Sequence, residues 1–405
     1  MRLNFQNQTS SLYEVTLNRC QEPPQVAVVT TVAPVREDRS LYLSTGNCLY
    51  ALNAADGTAR WCQQVKLVSL REASYPPMMS VPPPPRVGFA TPRVANGVVY
   101  VCIDGFGEYN YTCAFNADDG SLLWHTPTDG KVTAMPFMDW AIPLVKNGVV
   151  YSGTFALNAQ DGTVLWRIAI DTSSSEGTMS LHAVVDETLY ATTHWGIYAI
   201  NAQDGQIRWL YQPMIQSHIS GPPVVAGHLL YAGTGGSVGH PEKDGIFALD
   251  AATGAEVWRY SHRMGRYVGA VAHHETTIYV SSRDRSLYAL EMKSGSLRWR
   301  RQFTSPGLSS AATAGDVLYI NIGADGAYAL RSGDGAVLWR QPLGNSPGVL
   351  FSFTPSVVLD GAVYLVRNDK RGKCVLYALD TRTGAECWRW HTSPPSAIVP
   401  LSAAQ

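Results

Sequence analysis

Three kinds of side chain in this sequence could support chemistry, and their spacing decides what each is worth. Carboxylates outside any repeat, such as Glu72, Asp104, Asp139, Asp244 and Asp369, carry the oxygens calcium requires, but they are scattered over separate segments. His273 and His274 are adjacent rather than at a metal-binding spacing, so they read as a surface turn. The glycine-rich run Gly233–Gly245 lacks the following helix whose N-terminus would hold a phosphate, and reads as an enlarged loop. No GxSxG elbow, P-loop or HExxH helix is present. The 7 cysteines have no CxxC spacing, which argues against a zinc site or a dense disulfide framework. Cys48 with Cys62, and Cys102 with Cys113, are spaced to face one another across hairpins. The chemistry on offer is therefore binding chemistry, and the elements that position it come next.

The composition excludes several classes. With 45% hydrophobic and 16% charged residues over 405 positions, the chain has ample apolar surface to bury, which argues against long-range disorder. A net charge of −1 gives no broad electrostatic grip on nucleic acid; the small basic group at Lys370, Arg371 and Lys373 adjoins Asp369 and reads as a solvated loop. No apolar stretch is long enough to span a membrane, and Met1 to Cys20 lacks a secretion-signal pattern. As written, the chain is expected in the cytoplasm, or outside it if an export signal has been removed. A length of 405 implies several domains or one repetitive architecture.

The repeat is explicit. The pattern Ala-x5-Gly-x3-Trp occurs eight times, ending at Trp61, Trp124, Trp166, Trp209, Trp258, Trp299, Trp339 and Trp388. Apolar and aromatic residues alternate before each Gly and again up to the Trp, as two strands around a tight turn would require. Gly suits a turn position of positive φ, and Asp, Asn or Thr before it is turn chemistry as well. Upstream of each copy lies another apolar strand that reaches a Tyr (Tyr42, Tyr100, Tyr151, Tyr190, Tyr231, Tyr279, Tyr319 and Tyr364). A short strand, often carrying Pro, precedes that one. Four antiparallel strands, labelled A to D, recur about every 50 residues, in the range of a propeller blade. The expected fold is all-β: an eight-bladed β-propeller of four-stranded antiparallel blades around a channel. An N-terminal extension is assigned to residues 1–25, the propeller to 26–392 and a tail to 393–405. Leu12 to Leu17 alternates like an extra strand that would cover an outer edge.

The form Ala-x-Asp-x-x-Thr-Gly-x-x-x-Trp, complete at Ala248–Trp258 and Ala378–Trp388, resembles the tryptophan-docking repeat of the quinoprotein (PQQ-repeat) propeller family. The resemblance runs from about Val26 to Trp390 and implies that the eight Trp residues are structural. That family holds pyrroloquinoline-quinone dehydrogenases and also non-enzymatic relatives, among them a lipoprotein of the outer-membrane barrel-assembly machinery. Its dehydrogenases hold the quinone with calcium, a catalytic Asp, a stacking Trp and often a disulfide of adjacent cysteines. This chain has no adjacent Cys pair.

The expectation is therefore a non-enzymatic scaffold without a cofactor, with a dehydrogenase using pyrroloquinoline quinone and Ca as the alternative. It would act as a monomer and bind a protein or small ligand on the face where the long D–A and B–C connections emerge. Phe89, Trp140, His182, His218, Tyr267 and Phe353 stand just before A strands and would line the channel mouth. Met78, Met79, Met135 and Met138 would add an adaptable apolar surface.

Overall fold

The computed structural model describes residues 2–6, 12–19, 29–33, 39–45, 48–69, 88–104, 109–129, 142–169, 179–193, 195–213, 218–235, 244–261, 268–282, 284–305, 311–343, 356–368 and 374–391. The fold is an eight-bladed β-propeller of four-stranded antiparallel blades. Among the described residues the one helical element is a 3-10 turn at Gly323–Asp325. The chain divides into two compact units, with blades 1 to 3 in the first and blades 4 to 8 in the second.

Blade 4 shows the design: strand A is Ser180–Val185, B is Thr188–Thr192, C is Ile197–Asn201 and D is Ile207–Tyr211. Strands B and C are buried along almost their whole length, whereas D, on the outer edge, is largely exposed. Inner strands are near-continuously apolar because both of their faces are covered. In strand C of blade 5 (Ile246–Asp250), Phe247 and Leu249 pack into the core shared with blade 4. Ile246 and Ala248 pack into the core shared with blade 6. The hydrophobic cores therefore lie between blades, and a blade alone has no core of its own.

The repeat Trp joins neighbours. Trp258 pairs across the blade with Ala248, and its indole Nε1 donates to the carbonyl of Met292 in blade 6 at 2.9 Å. Tyr231 of strand B donates its hydroxyl to that same carbonyl at 3.2 Å. The same double contact joins blades 1–2 and 2–3 in the first unit, on Ala117 and Ala159. It also joins blades 4–5, 6–7 and 7–8 in the second, on Ala251, Ser332 and Thr381. Within each blade the Tyr and Trp rings lie tilted, 5.8–6.1 Å apart, and this includes Tyr151–Trp166 and Tyr364–Trp388. Trp61, Trp124 and Trp339 are buried, and the other five are half-buried.

The repeat Gly has a second duty beyond its turn. Gly295 has φ +70°, and a Cβ there would lie 2.5 Å from Cε3 of Trp258 in the preceding blade. The equivalent Gly of blades 2, 3, 5, 7 and 8 is covered in the same way by its neighbour's Trp. Asx side chains hold the turn in shape: Asp250 accepts from the Thr253 hydroxyl and backbone N–H at 2.8 and 2.9 Å. On the opposite face of the strands, the Arg after the Trp lies over the aromatic before the repeat Ala, as in Arg259 over Phe247 at 4.7 Å and Arg300 over Tyr288 at 5.3 Å.

Blade 1 carries two additional strands. Leu12–Arg19 pairs with its long outer strand, Ala59–Ser69, and Arg2–Gln6 pairs with Leu12–Arg19, making a six-stranded sheet. Neither of the cysteine pairs spaced to face one another across a hairpin forms a disulfide: Cys48, Cys102 and Cys113 are free. Thr112 is the residue opposite Cys102, so Cys113 is offset by one and points to the other face of the sheet. Cys48 pairs with Gln64 and Tyr50 with Cys62, so Cys48 and Cys62 are diagonal neighbours, beyond disulfide reach. Cys62 is nonetheless disulfide-bonded.

Two substitutions separate the roles of glycine. At Gly315, with φ +51° and open space around the Cβ position, alanine should cost about 1 kcal/mol, from backbone strain alone. Gly295→Ala should cost about 3 kcal/mol or more, close to the 3–5 kcal/mol expected of Trp258→Ala, because a pinned, rigid ring must move. Equal losses for the two glycines in urea denaturation would contradict the docking role.

Candidate functional site

The two ends of the strands differ. All eight C–D turns are copies: the repeat Gly N–H donates to the carbonyl four residues back at 2.8–2.9 Å, from Gly57 on Asn53 to Gly384 on Asp380. Among the described residues the B–C connections share no such pattern. In blade 4 the connection is closed by Thr193 N–H to the Gly196 carbonyl at 2.9 Å. Blade 7 uses the 3-10 turn Gly323–Asp325, where buried Asp325 accepts from the Thr304 hydroxyl at 2.6 Å and from the N–H groups of Thr304 and Ser305 at 3.2 Å.

Within the second unit, the B–C end of blades 4 and 5 gathers aromatic and polar side chains. His182 sits in strand A of blade 4, where the register shifts between Leu181 and Ala183, and its Nε2 lies 2.7 Å from the Thr192 hydroxyl. The residue is half-buried, and desolvation of its ring pulls its pKa from 6.5 down to about 3, so it is neutral at physiological pH. Trp195, in the short B–C connection, packs edge-on against His218 with ring centroids 4.4 Å apart. His218 opens strand A of blade 5, His218–Ala226. Burial lowers its pKa, and the charge of Asp244, fully buried beside Gly245, opposes that shift. Gly245 is obligatory here: a Cβ would lie 2.3 Å from the Tyr260 carbonyl oxygen, and its N–H donates to the Thr234 hydroxyl at 3.2 Å. Trp195, His218 and Asp244 together offer an indole, an imidazole and one buried carboxylate. Among the described residues no group of three His, Cys, Asp or Glu could hold a metal ion.

Of the residues singled out from sequence, His182 and His218 lie in strand A of adjacent blades 4 and 5, and His218 is the one packed against Trp195. Phe89 is instead buried edge-on against Phe115, in the core between blades 1 and 2. Trp140, Tyr267 and Phe353, with Met78, Met79, Met135 and Met138, lie outside the described residues. The residue that sequence reasoning passed over is Trp195. Its mark was visible: it is a Trp outside the repeat, in a four-residue connection.

Together the repeats and the blade-to-blade Trp contacts define a β-propeller of tryptophan-docked blades. Comparison with known proteins agrees. The family model described as outer membrane protein assembly factor BamB matches residues 14–239 and 242–403, and the chain belongs to that family. BamB from Moraxella catarrhalis superposes with a TM-score of 0.60 at 14% identity, covering 90% of this chain and 98% of that one. A computationally designed protein, Ika8, gives a TM-score of 0.61 at 11% identity, covering 89% of this chain and 100% of the design. At these identities the likeness is one of fold. A serine/threonine-protein kinase, AfsK of Streptomyces griseus, is 30% identical over 178 residues, which is 40% of this chain and 20% of the kinase. The chain thus spans about a fifth of the length of that curated relative.

The desolvated His182 makes stability depend on pH. Its pKa is lower folded (about 3) than unfolded (6.5), so the unfolded chain binds the extra proton. This contribution is intact above pH 6.5 and is lost progressively as pH falls towards 3. His182→Gln should remove about 2 kcal/mol of the stability difference between pH 7 and pH 5. Urea melts at the two pH values measure it; an unchanged difference would show that His182 is not held neutral.

Proposed function

We propose that this chain is a non-enzymatic interaction propeller that holds a protein partner at the B–C end of blades 4 and 5, on Trp195 and His218. The observation carrying this reading is the asymmetry between uniform C–D turns and unequal B–C connections. A fold that needed only stability would have no use for an indole set against a histidine in a connection it could build from turn residues. Aromatic anchors with adjacent buried polar groups are the usual centre of a protein interface. Membership of a family described as an assembly factor supports the same reading.

The disulfide at Cys62 favours action in an oxidising compartment outside the cytoplasm. The described residues include no helix long and apolar enough to cross a membrane.

Site-specific photocrosslinking in the producing cell tests the surface. A crosslinker at position 195 should give a discrete protein adduct, and one at Ala252, exposed in a C–D turn, should not. Trp195→Ala should weaken partner capture with less than about 1 kcal/mol lost in stability. Adducts from position 252 alone would place the interface at the wrong end. For the compartment, alkylation of protein unfolded without reductant should label five of the 7 cysteines, and all after reduction.

A further inference from the structure

The eight blades can be compared with one another position by position, and blade 2 departs from the rest at one place. The strand-A residue opposite the strand-B Tyr is Ala, Leu or Val in seven blades, for example Leu144 opposite Tyr151 and Val224 opposite Tyr231. In blade 2 it is Arg93, opposite Tyr100. Tyr100 and Ala95, two residues on from Arg93, both pack into the core shared with blade 3, so Arg93 faces the gap between blades 2 and 3.

That gap is also the polar one. Ser152 of blade 3 follows its strand-B Tyr, where the other seven blades carry Leu, Val, Ile or Ala. Thr112 stands two residues before the repeat Ala, where blades 1, 4, 5, 6 and 8 carry Leu or Ile. The Thr112 hydroxyl donates to Ser152 at 2.7 Å, and Cys102 Sγ lies 3.1 Å from the same Ser152 oxygen. Cys102 is two residues beyond Tyr100 on strand B, so it is on the same face as Arg93. These groups satisfy one another. Arg93 does not join them: its Nε is buried without a hydrogen-bond partner, and no ion pair of Arg93 is found among the described residues. Burial alone pulls its pKa down, with no opposing carboxylate. Arg93 as a whole is half-buried and a guanidinium cannot shed its proton, so its unpartnered Nε and its charge would both gain from an arriving anion.

We propose that Arg93 is the anchor of an oxyanion-binding site in the gap between blades 2 and 3, taking a carboxylate or phosphate group of a bound molecule in the fork of its guanidinium. A planar fork of N–H donors matches both groups, and binding would supply the missing counter-charge. The site is separate from the Trp195–His218 cluster and stands whether or not that surface binds a protein.

Melting temperatures of the intact chain, measured in chloride, inorganic phosphate and succinate at matched pH and ionic strength, test it. The native protein should gain several degrees in phosphate or succinate over chloride, and which anion acts at the lower concentration assigns the group. Arg93→Leu, which restores the residue type of blade 3, should abolish the gain while melting in chloride at or above the native protein. Arg93→Lys, which keeps the charge but loses the fork, should retain less than half of the gain and serves if the leucine variant does not fold. Indifference of the native protein to both anions overturns the proposal. So does an Arg93→Leu protein that melts well below native in chloride yet keeps the full anion response, because Arg93 would then be tied to a carboxylate of this chain.

Discussion

One backbone carbonyl at each of six blade junctions, two in the first unit and four in the second, organises this protein. It lies three residues after the repeat Ala of each receiving blade and accepts two bonds from the blade before, one from an indole N–H and one from a tyrosine hydroxyl. Because the cores sit between blades, a blade without a neighbour would expose both faces of its inner strands. The double bond to one acceptor fixes how far apart and at what angle two blades meet. The repeat Gly then lets the indole lie flat on the turn beyond. Remove the donors or the bare Cα, and the apolar faces no longer meet in register.

The fold was legible because its spacing is rigid: Ala, Gly and Trp recur at intervals that admit one turn and two short strands. The second role of Gly was not legible, since the ring that covers it belongs to a different blade, 36 to 59 residues earlier in the chain. The cysteines show the same boundary from another side. Hairpin spacing brings Cys102 and Cys113 near in sequence, but a one-residue offset in register sends them to opposite faces. Parity along a strand cannot be counted through a turn whose register is unknown.

Site residues were legible in part for a related reason. Position before a strand A pointed to His182, which lies inside strand A of blade 4, and to His218, which opens strand A of blade 5, and the same rule led to Phe89. There the strand is interrupted: Phe89 pairs with Ile103 and Arg93 with Tyr100, with an irregular stretch between them. Such a break resets which face a side chain occupies, and Phe89 turns into the core. Trp195 carried a visible mark, as a Trp outside the repeat, but a four-residue connection gives no periodicity that would say where its ring points. It is the contact with His218 of the next blade that singles it out.

The receiving carbonyl belongs to Ala117, Ala159, Ala251, Met292, Ser332 or Thr381, and no property of those side chains enters the contact. Each blade is therefore recognised through an atom that every residue possesses. Blades become interchangeable at their junctions: a gene segment encoding one could be copied or shuffled and its product would still dock, provided it kept its Trp and its Gly. Under that rule sequences drift quickly while architecture stays put. A chain can then share only 14% identity with a relative whose fold it reproduces over nearly its whole length.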